Sequence, residues 1–256
     1  MDLIYNFHTH TFRCGHAIGT EEEYVINAIK CGIKKMGFAD HFPLKFEDGS
    51  QNPARVKVEE VHLYRDEVFR LKEKYKNDIE IFLGFEMEYY SELFDEMLKN
   101  AKSYGAEYLI LGQHFYMPEN KGGSHVYSSQ NEEGLKKYVD SVIEAIKKDV
   151  FTYVAHPDMI NFSGDMDVYK REMKRLCIGA KETDTPLEIN FLGIRDKRIY
   201  PNENFWRIAG EIGVKAVFGL DAHDPLGACD VASLSIGQKI AEKNSIEVIE
   251  PKLKFL

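Results

Sequence analysis

Seven of the nine histidines in this chain of 256 residues fall in short clusters, each just after a run of apolar or β-branched residues. Acidic residues accompany several of these clusters. The side chains concerned are His8, His10, His16, Asp40, His41, Glu86, His114, His156, Asp221 and His223. Imidazole nitrogens and carboxylate oxygens are common ligands of transition metals in proteins. The clusters therefore predict a multinuclear transition-metal site and, with it, a metal-dependent hydrolase.

Any one of these histidines, taken singly, is more simply explained as a core side chain whose ring is hydrogen-bonded by its neighbours. That explanation fails for seven together, because so many buried imidazoles would compete for few acceptors. The other two histidines differ: His62 lies on the polar face of a predicted helix, and His125 lies in a glycine-rich loop. We predict neither as a metal ligand. Residues 113–131 form a loop long enough to act as a lid that brings His125 to the site.

Short apolar runs alternate along the chain with longer amphipathic segments. Seven runs suit strands that are buried on both faces, at residues 3–7, 36–39, 79–85, 108–111, 152–155, 187–189 and 216–219. Seven segments suit helices, at residues 21–35, 58–75, 91–104, 132–148, 167–182, 203–212 and 232–243. Regular alternation of strand and helix predicts an α/β fold with a parallel sheet, either closed as a barrel or open and doubly wound.

The positions of the candidate ligands distinguish these two folds. In a closed barrel the carboxyl ends of all strands face one shared space, whereas an open sheet has its site at a single switch point. Six of the seven predicted strands deliver a candidate ligand, so we predict a (β/α)7 barrel with parallel strands and outer helices. Alternation along the first strand places His8 and His10 on one face, toward the barrel interior. The sixth strand supplies Glu188, Asn190 and then Arg195, which we assign to the substrate.

Length, composition and charge limit the class of protein. A chain of this size with 44% hydrophobic residues can bury about three quarters of its unfolded surface in one core, so residues 1–256 are expected to form a single domain. A net charge of −9 without long basic runs argues against long nucleic acid as a partner. The chain lacks a membrane-spanning apolar run, and its first six residues do not resemble a signal peptide. We expect no membrane partner and a cytoplasmic location; the oligomeric state stays open.

The four cysteines are scattered along the chain, at Cys14, Cys31, Cys177 and Cys229. No pair has the C-x-x-C spacing, so neither a disulfide framework nor a thiolate zinc site is predicted. Three are expected to be small core side chains. Cys14 lies among the candidate ligands and has no assigned role.

The order of these motifs resembles a known family. An H-x-H near the N-terminus is followed by a third histidine, an Asp-His pair, a lone glutamate, two separated histidines and a final D-x-H. This set, over residues 8–223, resembles the polymerase and histidinol phosphatase (PHP) superfamily. The segments GFEMEYY (84–90), QHF (113–115) and 188–195 look most like its histidinol-phosphate phosphatase branch. The resemblance implies a distorted, TIM-like (β/α)7 barrel that holds up to three metals.

The resemblance also implies which side chains share a metal. The first metal would take His8, His10, Glu86 and Asp221. The second would take Glu86, His114 and His156, with Glu86 as the bridge, and a third would take His16, His41 and His223. The implied reaction is hydrolysis of a small phosphate monoester, L-histidinol phosphate, by a metal-bridging hydroxide held at Glu86, Asp221 and His223. Two to three divalent ions of zinc, manganese or iron suit these ligands.

Residues for substrate binding and for orienting the ligands are less clearly marked. We predict that Arg195 holds the phosphate, since a planar guanidinium can bind two oxygens at once, and Arg198 is a second candidate. Three acids beside candidate ligands are predicted either to orient imidazoles or to contact a substrate amine, namely Asp40, Glu88 and Asp158. The resembled branch is expected to carry a further arginine after the strand-five histidine, where this chain has Asn161. That departure weakens the case for L-histidinol phosphate but not for a phosphoesterase.

Three alternatives stay open. The first is another PHP phosphoesterase that acts on a nucleotide or other small phosphate ester. The second is a metal-dependent amidohydrolase, whose barrels also begin with H-x-H. These barrels usually end on a lone aspartate and often use a strand-four lysine, whereas this chain has His114 and a final D-x-H. The third is a non-catalytic module in which metals only stabilise the fold.

Overall fold

The computed structural model describes residues 3–256. Met1 and Asp2, which belong to the segment without signal-peptide character, lie outside the described residues. One parallel sheet contains seven strands in chain order, with the bounds β1 (Tyr5–Asn6), β2 (Lys35–His41), β3 (Glu80–Met87), β4 (Tyr108–Leu111), β5 (Phe151–Val154), β6 (Leu187–Asn190) and β7 (Ala216–Gly219). Within the described residues the α-helices are α1 (Glu21–Lys30), α2 (Val61–Lys74), α3 (Phe94–Ser103), α4 (Glu132–Ile146), α5 (Met166–Glu182), α6 (Phe191–Arg195), α7 (Glu203–Ile212) and α8 (Val231–Lys243).

The sheet closes on itself where β7 approaches β1. Beyond the ends of these strands, Thr9 and Ala222 form a parallel bridge, and the His10 N–H donates to the Ala222 carbonyl at 3.0 Å. The Asn6 side chain accepts from the Leu220 N–H at 3.1 Å. Only a few hydrogen bonds join these two strands, and the register shifts between β4 and β5. The predicted distorted (β/α)7 barrel is therefore confirmed as a nearly closed one with its helices outside.

Aromatic side chains fill the barrel interior below the carboxyl ends of the strands. Phe7, Tyr108 and Tyr153 belong to a small inner cluster that is separate from the large core between the sheet and the helices. Tyr108 spans the barrel, and its hydroxyl donates to the Phe7 carbonyl at 2.9 Å. A Cβ atom on Gly84 would overlap the Tyr108 ring, so glycine is needed at that point of β3. This packed layer forms the floor on which the polar site rests.

All seven predicted helices are present, but several of them are shorter than predicted. The capping glutamate predicted for the first helix is present, since the Glu23 carboxylate accepts from the Thr20 N–H at 2.7 Å. That helix ends at Lys30 rather than residue 35, because Gly32 takes a left-handed φ of 81° and turns the chain. The short helix α6, directly after β6, was not predicted; Asn190 caps it through the Gly193 N–H at 3.1 Å.

The cysteines partly contradict the prediction from their spacing. Cys31, at the end of α1, and Cys229 form a disulfide with a Cα–Cα distance of 5.6 Å. The expectation that both are unpaired core residues is wrong, because the fold brings together two segments that are 198 residues apart in the chain. Cys177 is a buried core residue, as predicted. Between residues 3 and 256, no helix has the length and apolar character needed to cross a membrane.

Candidate metal centre

Glu86 lies at the centre of the histidine cluster, near the carboxyl end of β3. Its side chain is 1% exposed. In the described part of the chain neither carboxylate oxygen has a hydrogen-bond partner. The imidazole nitrogens nearest to these oxygens belong to His156 at 2.8 Å, His41 at 3.1 Å, His10 at 3.4 Å, His114 at 3.5 Å and His8 at 3.6 Å. A buried carboxylate with bare oxygens is costly, whereas a cation between it and the imidazoles would satisfy both.

Asp221 forms a second acidic centre after β7. Its Oδ1 is also buried without a hydrogen-bond donor in the described residues, and lies 3.2 Å from His10 Nε2 and 3.3 Å from His223 Nδ1. The Asn190 amide donates to the other oxygen at 3.0 Å. The backbone of Asp221 has a φ of +46°, a strained conformation for a residue with a side chain. Such strain is held where a side chain must point in a required direction.

The remaining candidate ligands form a group nearer the surface. The Nε2 atoms of His16 and His223 are 3.1 Å apart, and the His16 and His41 rings have centroids 5.2 Å apart. One nitrogen from each of these three histidines lies within 4.8 Å of the other two. Cys14 is buried beside them, and its thiol donates to the Thr11 carbonyl at 3.1 Å. The structure therefore brings all nine predicted ligands together in one cluster of overlapping groups of donor atoms.

His8 and His10 lie on one side of the chain, as predicted, but the strand before them is shorter than expected. Their Nε2 atoms are 3.1 Å apart, as a shared cation requires. However, β1 ends at Asn6, so both histidines lie beyond the strand. The parallel bridge between Thr9 and Ala222 holds this segment, and the two histidines flank the bridged residue.

The charges within this cluster depend on each other. Burial would raise the pKa of Glu86, but the imidazoles of His114, His8 and His41 hold it well below its usual range. Burial would lower the pKa of His8, yet the carboxylates of Glu188, Asp221 and Glu86 raise it to about 10. The acids are therefore ionised, and protons on imidazoles balance part of their charge. A metal competes with those protons, because an imidazole nitrogen must be deprotonated to bind it.

Glu188 on β6 has a different role from the predicted one. It is fully buried, and its Oε1 lies 2.7 Å from His8 Nδ1. Its Oε2 accepts from the His156 N–H at 2.9 Å and from the Asn190 amide at 2.8 Å. The assignment of Glu188 to the substrate is wrong, because both oxygens are used to hold the residues around the metal cluster. Such contacts fix the ring orientation of an imidazole ligand.

Two of the three predicted orienting acids contact imidazoles. Glu88 Oε1 lies 2.9 Å from His114 Nδ1, and Asp40 Oδ1 lies 3.5 Å from His10 Nδ1. Asp158 instead accepts from the Asn202 N–H at 2.5 Å, so the prediction that it orients an imidazole is wrong, whereas its contact with a substrate amine stays a prediction. Burial raises the pKa of Asp158 to about 7.

An arginine that the sequence did not single out supports one of these acids. Arg55 is 3% exposed, and its Nη1 donates to Glu88 Oε2 at 2.5 Å. Its Nη2 donates to Glu119 at 2.7 Å. Arg55 thus connects the β2–α2 and β4–α4 loops to the acid that orients His114.

A pocket of about 650 Å³ opens above the cluster. Arg195 and Arg198 both line it. The Arg195 guanidinium donates to Asp230 at 2.8 Å and to the Asp221 carbonyl at 3.4 Å, which places it beside the acidic centre after β7. Arg198 donates to the Tyr200 hydroxyl at 3.1 Å and to Asp196 at 3.0 Å. Both predicted arginines therefore face the space above the candidate ligands.

The sequence model of the PHP domain family matches residues 6–191, which is more than half of the chain. This chain belongs to the PHP family. The “Probable histidinol-phosphatase” of Deinococcus radiodurans is 27% identical over 238 residues, covering 85% of both chains. The “Histidinol-phosphatase” of Bacillus subtilis is 30% identical over 115 residues, which are 42% of each chain. The fold resembles that of histidinol phosphate phosphatase from Lactococcus lactis in complex with zinc, L-histidinol and phosphate, with a TM-score of 0.72, 16% identity and 98% coverage of both chains.

The PHP match and the geometry cover different parts of the cluster. The matched region contains every candidate ligand up to His156 and ends at residue 191. Asp221 and His223 lie beyond it, and their place beside His10 and His16 comes from the barrel closure.

The two histidines that were not predicted as ligands differ in their distance from the cluster. His62 is exposed on α2, as predicted. His125 lines the pocket, and its ring centroid is 5.6 Å from that of His114. The only sequence signal for this position was the length of the loop between residues 113 and 131. For Arg55 there was no signal, because a single arginine in a loop is typical of solvated surface.

Proposed function

We propose that this protein is a metal-dependent phosphomonoesterase that hydrolyses L-histidinol phosphate to L-histidinol and phosphate. The observation that carries the proposal is Glu86, a buried carboxylate with two bare oxygens inside a shell of five imidazoles. A carboxylate in this position is a natural bridge between two divalent cations. A pair of close cations is the usual arrangement for displacement at phosphorus.

The donor atoms suit zinc, manganese or iron, in two to three ions per chain. Glu86 would hold ions together with His8, His10, Asp221, His114 and His156, and a further ion would lie among His16, His41 and His223. When bound, such ions acidify water and neutralise negative charge on a phosphoryl group. The buried Oδ1 of Asp221, which has no hydrogen-bond donor within the described residues, fits this interpretation.

The protein's own side chains would bind and orient the ester. Arg195 is fixed by Asp230 yet remains 25% exposed toward the pocket, so its guanidinium can reach phosphate oxygens. Arg198 supplies a second positive charge from the turn after α6. Glu86, Asp221 and His223 would place the attacking water below the phosphorus, opposite the pocket mouth through which the alcohol leaves. The side chains of Tyr127, Met159 and Leu192 line the pocket and would contact the organic half.

The names of two relatives support L-histidinol phosphate as the substrate, whereas the residue at position 161 argues against it. The Deinococcus radiodurans and Bacillus subtilis proteins carry the histidinol-phosphatase name. The backbone of Asn161 is used in hydrogen bonds to Val126 and Gln130, at 2.9 Å and 2.8 Å, and no arginine follows His156 closely. Hydrolysis of another small phosphate ester, such as a nucleotide, is therefore the second candidate function.

A substrate panel tests this proposal. Protein purified without added metal would be assayed with L-histidinol phosphate, nucleoside monophosphates and sugar phosphates, beside elemental analysis of the same sample. We expect turnover of L-histidinol phosphate to exceed the others. Equal rates on several esters with no reaction of L-histidinol phosphate would contradict the specific proposal and favour the second candidate.

Two variants connect the activity to the metal cluster. His8→Asn should abolish turnover and lower the metal content, because His8 contacts both acidic centres. His62→Asn is the matched control on the surface of α2, and should change neither quantity.

A further inference from the structure

The loop between β4 and α4 carries His125 back to the metal cluster. The Val126 N–H donates to the His114 carbonyl at 2.8 Å, and the Val126 carbonyl accepts from the Asn161 N–H at 2.9 Å. The His125 carbonyl accepts from the Gln130 amide at 3.1 Å. Phe115 packs edge-on against the His125 ring, with centroids 5.0 Å apart. These contacts fix the imidazole at the pocket wall beside His114.

One hydrogen bond determines which ring nitrogen of His125 carries the proton. The backbone N–H of Tyr127 donates to His125 Nδ1 at 3.1 Å. A nitrogen that accepts a hydrogen bond has no proton, so the ring proton must be on Nε2. Among residues 3–256, no carbonyl, carboxylate or hydroxyl accepts from this Nε2–H. His125 thus presents a fixed, neutral N–H donor in a pocket that its ring lines.

The surroundings restrict what this donor can bind. A protonated Nε2 has no lone pair for a metal, which separates His125 from the imidazoles of the cluster. Across the pocket the polar side chains Arg195 and Arg198 are also donors without acceptor capacity. Donors that converge on one space from separate loops suit a ligand made of acceptors, and a phosphoryl group has only acceptor oxygens.

We propose that His125 is a substrate-binding residue that donates a hydrogen bond from Nε2 to a phosphoryl oxygen of the ester. This inference rests on the proposed function and adds a specific contact to it. A hydrogen bond to a charged acceptor changes binding by about 10- to 100-fold. The contact is made to the phosphate and not to the organic half, so inorganic phosphate should also report it.

The test compares three variants in metal-loaded protein. His125→Phe keeps a ring against Phe115 but removes the donor, and His125→Gln places an amide N–H close to the position of Nε2. His62→Phe is the control for the same chemical change on the surface. Binding of inorganic phosphate would be measured by calorimetry and by competitive inhibition of ester hydrolysis. We expect His125→Phe to weaken phosphate binding by about 10- to 100-fold, His125→Gln to recover most of the loss, and His62→Phe to bind like the parent protein.

Three outcomes would count against the contact. If His125→Phe binds phosphate like the parent protein, the hydrogen bond does not exist. If His125→Phe loses metal, the residue is a ligand instead, and the inference is wrong. Should that variant not fold, His125→Gln and His125→Ala provide the same comparison, and equal phosphate affinity of these two would also overturn it.

Failure of the proposed function would look different. In that case the parent metal-loaded protein would itself bind no inorganic phosphate and hydrolyse no phosphate ester.

Discussion

Substitution of Gly112 by alanine tests whether the position of Glu86 controls activity. Gly112 follows β4, and a Cβ atom there would overlap the Glu86 carboxylate and meet no other group as closely. Gly112 has an ordinary backbone φ, so alanine itself should cause little strain. The carboxylate would have to move by about 1 Å, a displacement that typically costs about 100-fold in rate. We therefore expect kcat/KM of Gly112→Ala to fall by about two orders of magnitude.

The assay would combine steady-state kinetics, elemental analysis and urea denaturation. The free energy of unfolding should fall by only about 1–3 kcal/mol, as is usual for overpacking. Gly179→Ala is the control: Gly179 is buried in α5, where the added methyl would meet the apolar Ile143 side chain at 3.3 Å, far from the cluster. It should keep parental kinetics. A folded Gly112→Ala protein with parental kcat/KM and metal content would refute the central position of Glu86.

Three further predictions concern residues around the cluster. Glu188→Gln should weaken metal binding by about 10- to 100-fold, because His8 loses its charged partner. A chelator titration would measure this affinity. An unchanged metal affinity would mean that Glu188 does not orient His8. Arg55→Met should lower the free energy of unfolding by about 3–5 kcal/mol, since the buried carboxylate of Glu88 loses its arginine partner and keeps only the contact with His114. Denaturation matching that of the parent protein would contradict this. Arg195→Ala should raise KM for the ester by about 10- to 100-fold with metal content unchanged. Arg207→Ala, on the exposed face of α7, is the control and should leave KM unchanged. Equal KM values for the two variants would exclude Arg195 as a phosphate ligand.

The ligand positions were predictable because they follow the strands directly. A histidine or acid at the carboxyl end of a parallel strand can point into the space that the strands share, and alternation along the strand decides which residues do so. This rule placed three ligands that are far apart in the sequence, namely His114, His156 and Asp221. The resemblance to the PHP family adds a grouping of ligands by metal, and that grouping stays a prediction.

Residues that act through hydrogen bonds with distant partners were not predictable. Glu188 ends a strand like a ligand does, and only the 2.7 Å contact with His8 shows that it orients an imidazole. Arg55 lies in a loop whose path depends on its ion pairs with Glu88 and Glu119. The pairing of Cys31 with Cys229 likewise depends on how α1 packs against the segment after β7. Such contacts are set by tertiary packing, which a pattern along the chain does not encode.

Anomalous X-ray diffraction from crystals of protein purified without added metal tests the central claim most directly. We predict at least two anomalous peaks within about 2.0–2.3 Å of imidazole nitrogens and carboxylate oxygens, with Glu86 contacting both peaks. The central claim would be contradicted if no anomalous density lay around Glu86 and an X-ray fluorescence scan of the same crystals detected no transition metal.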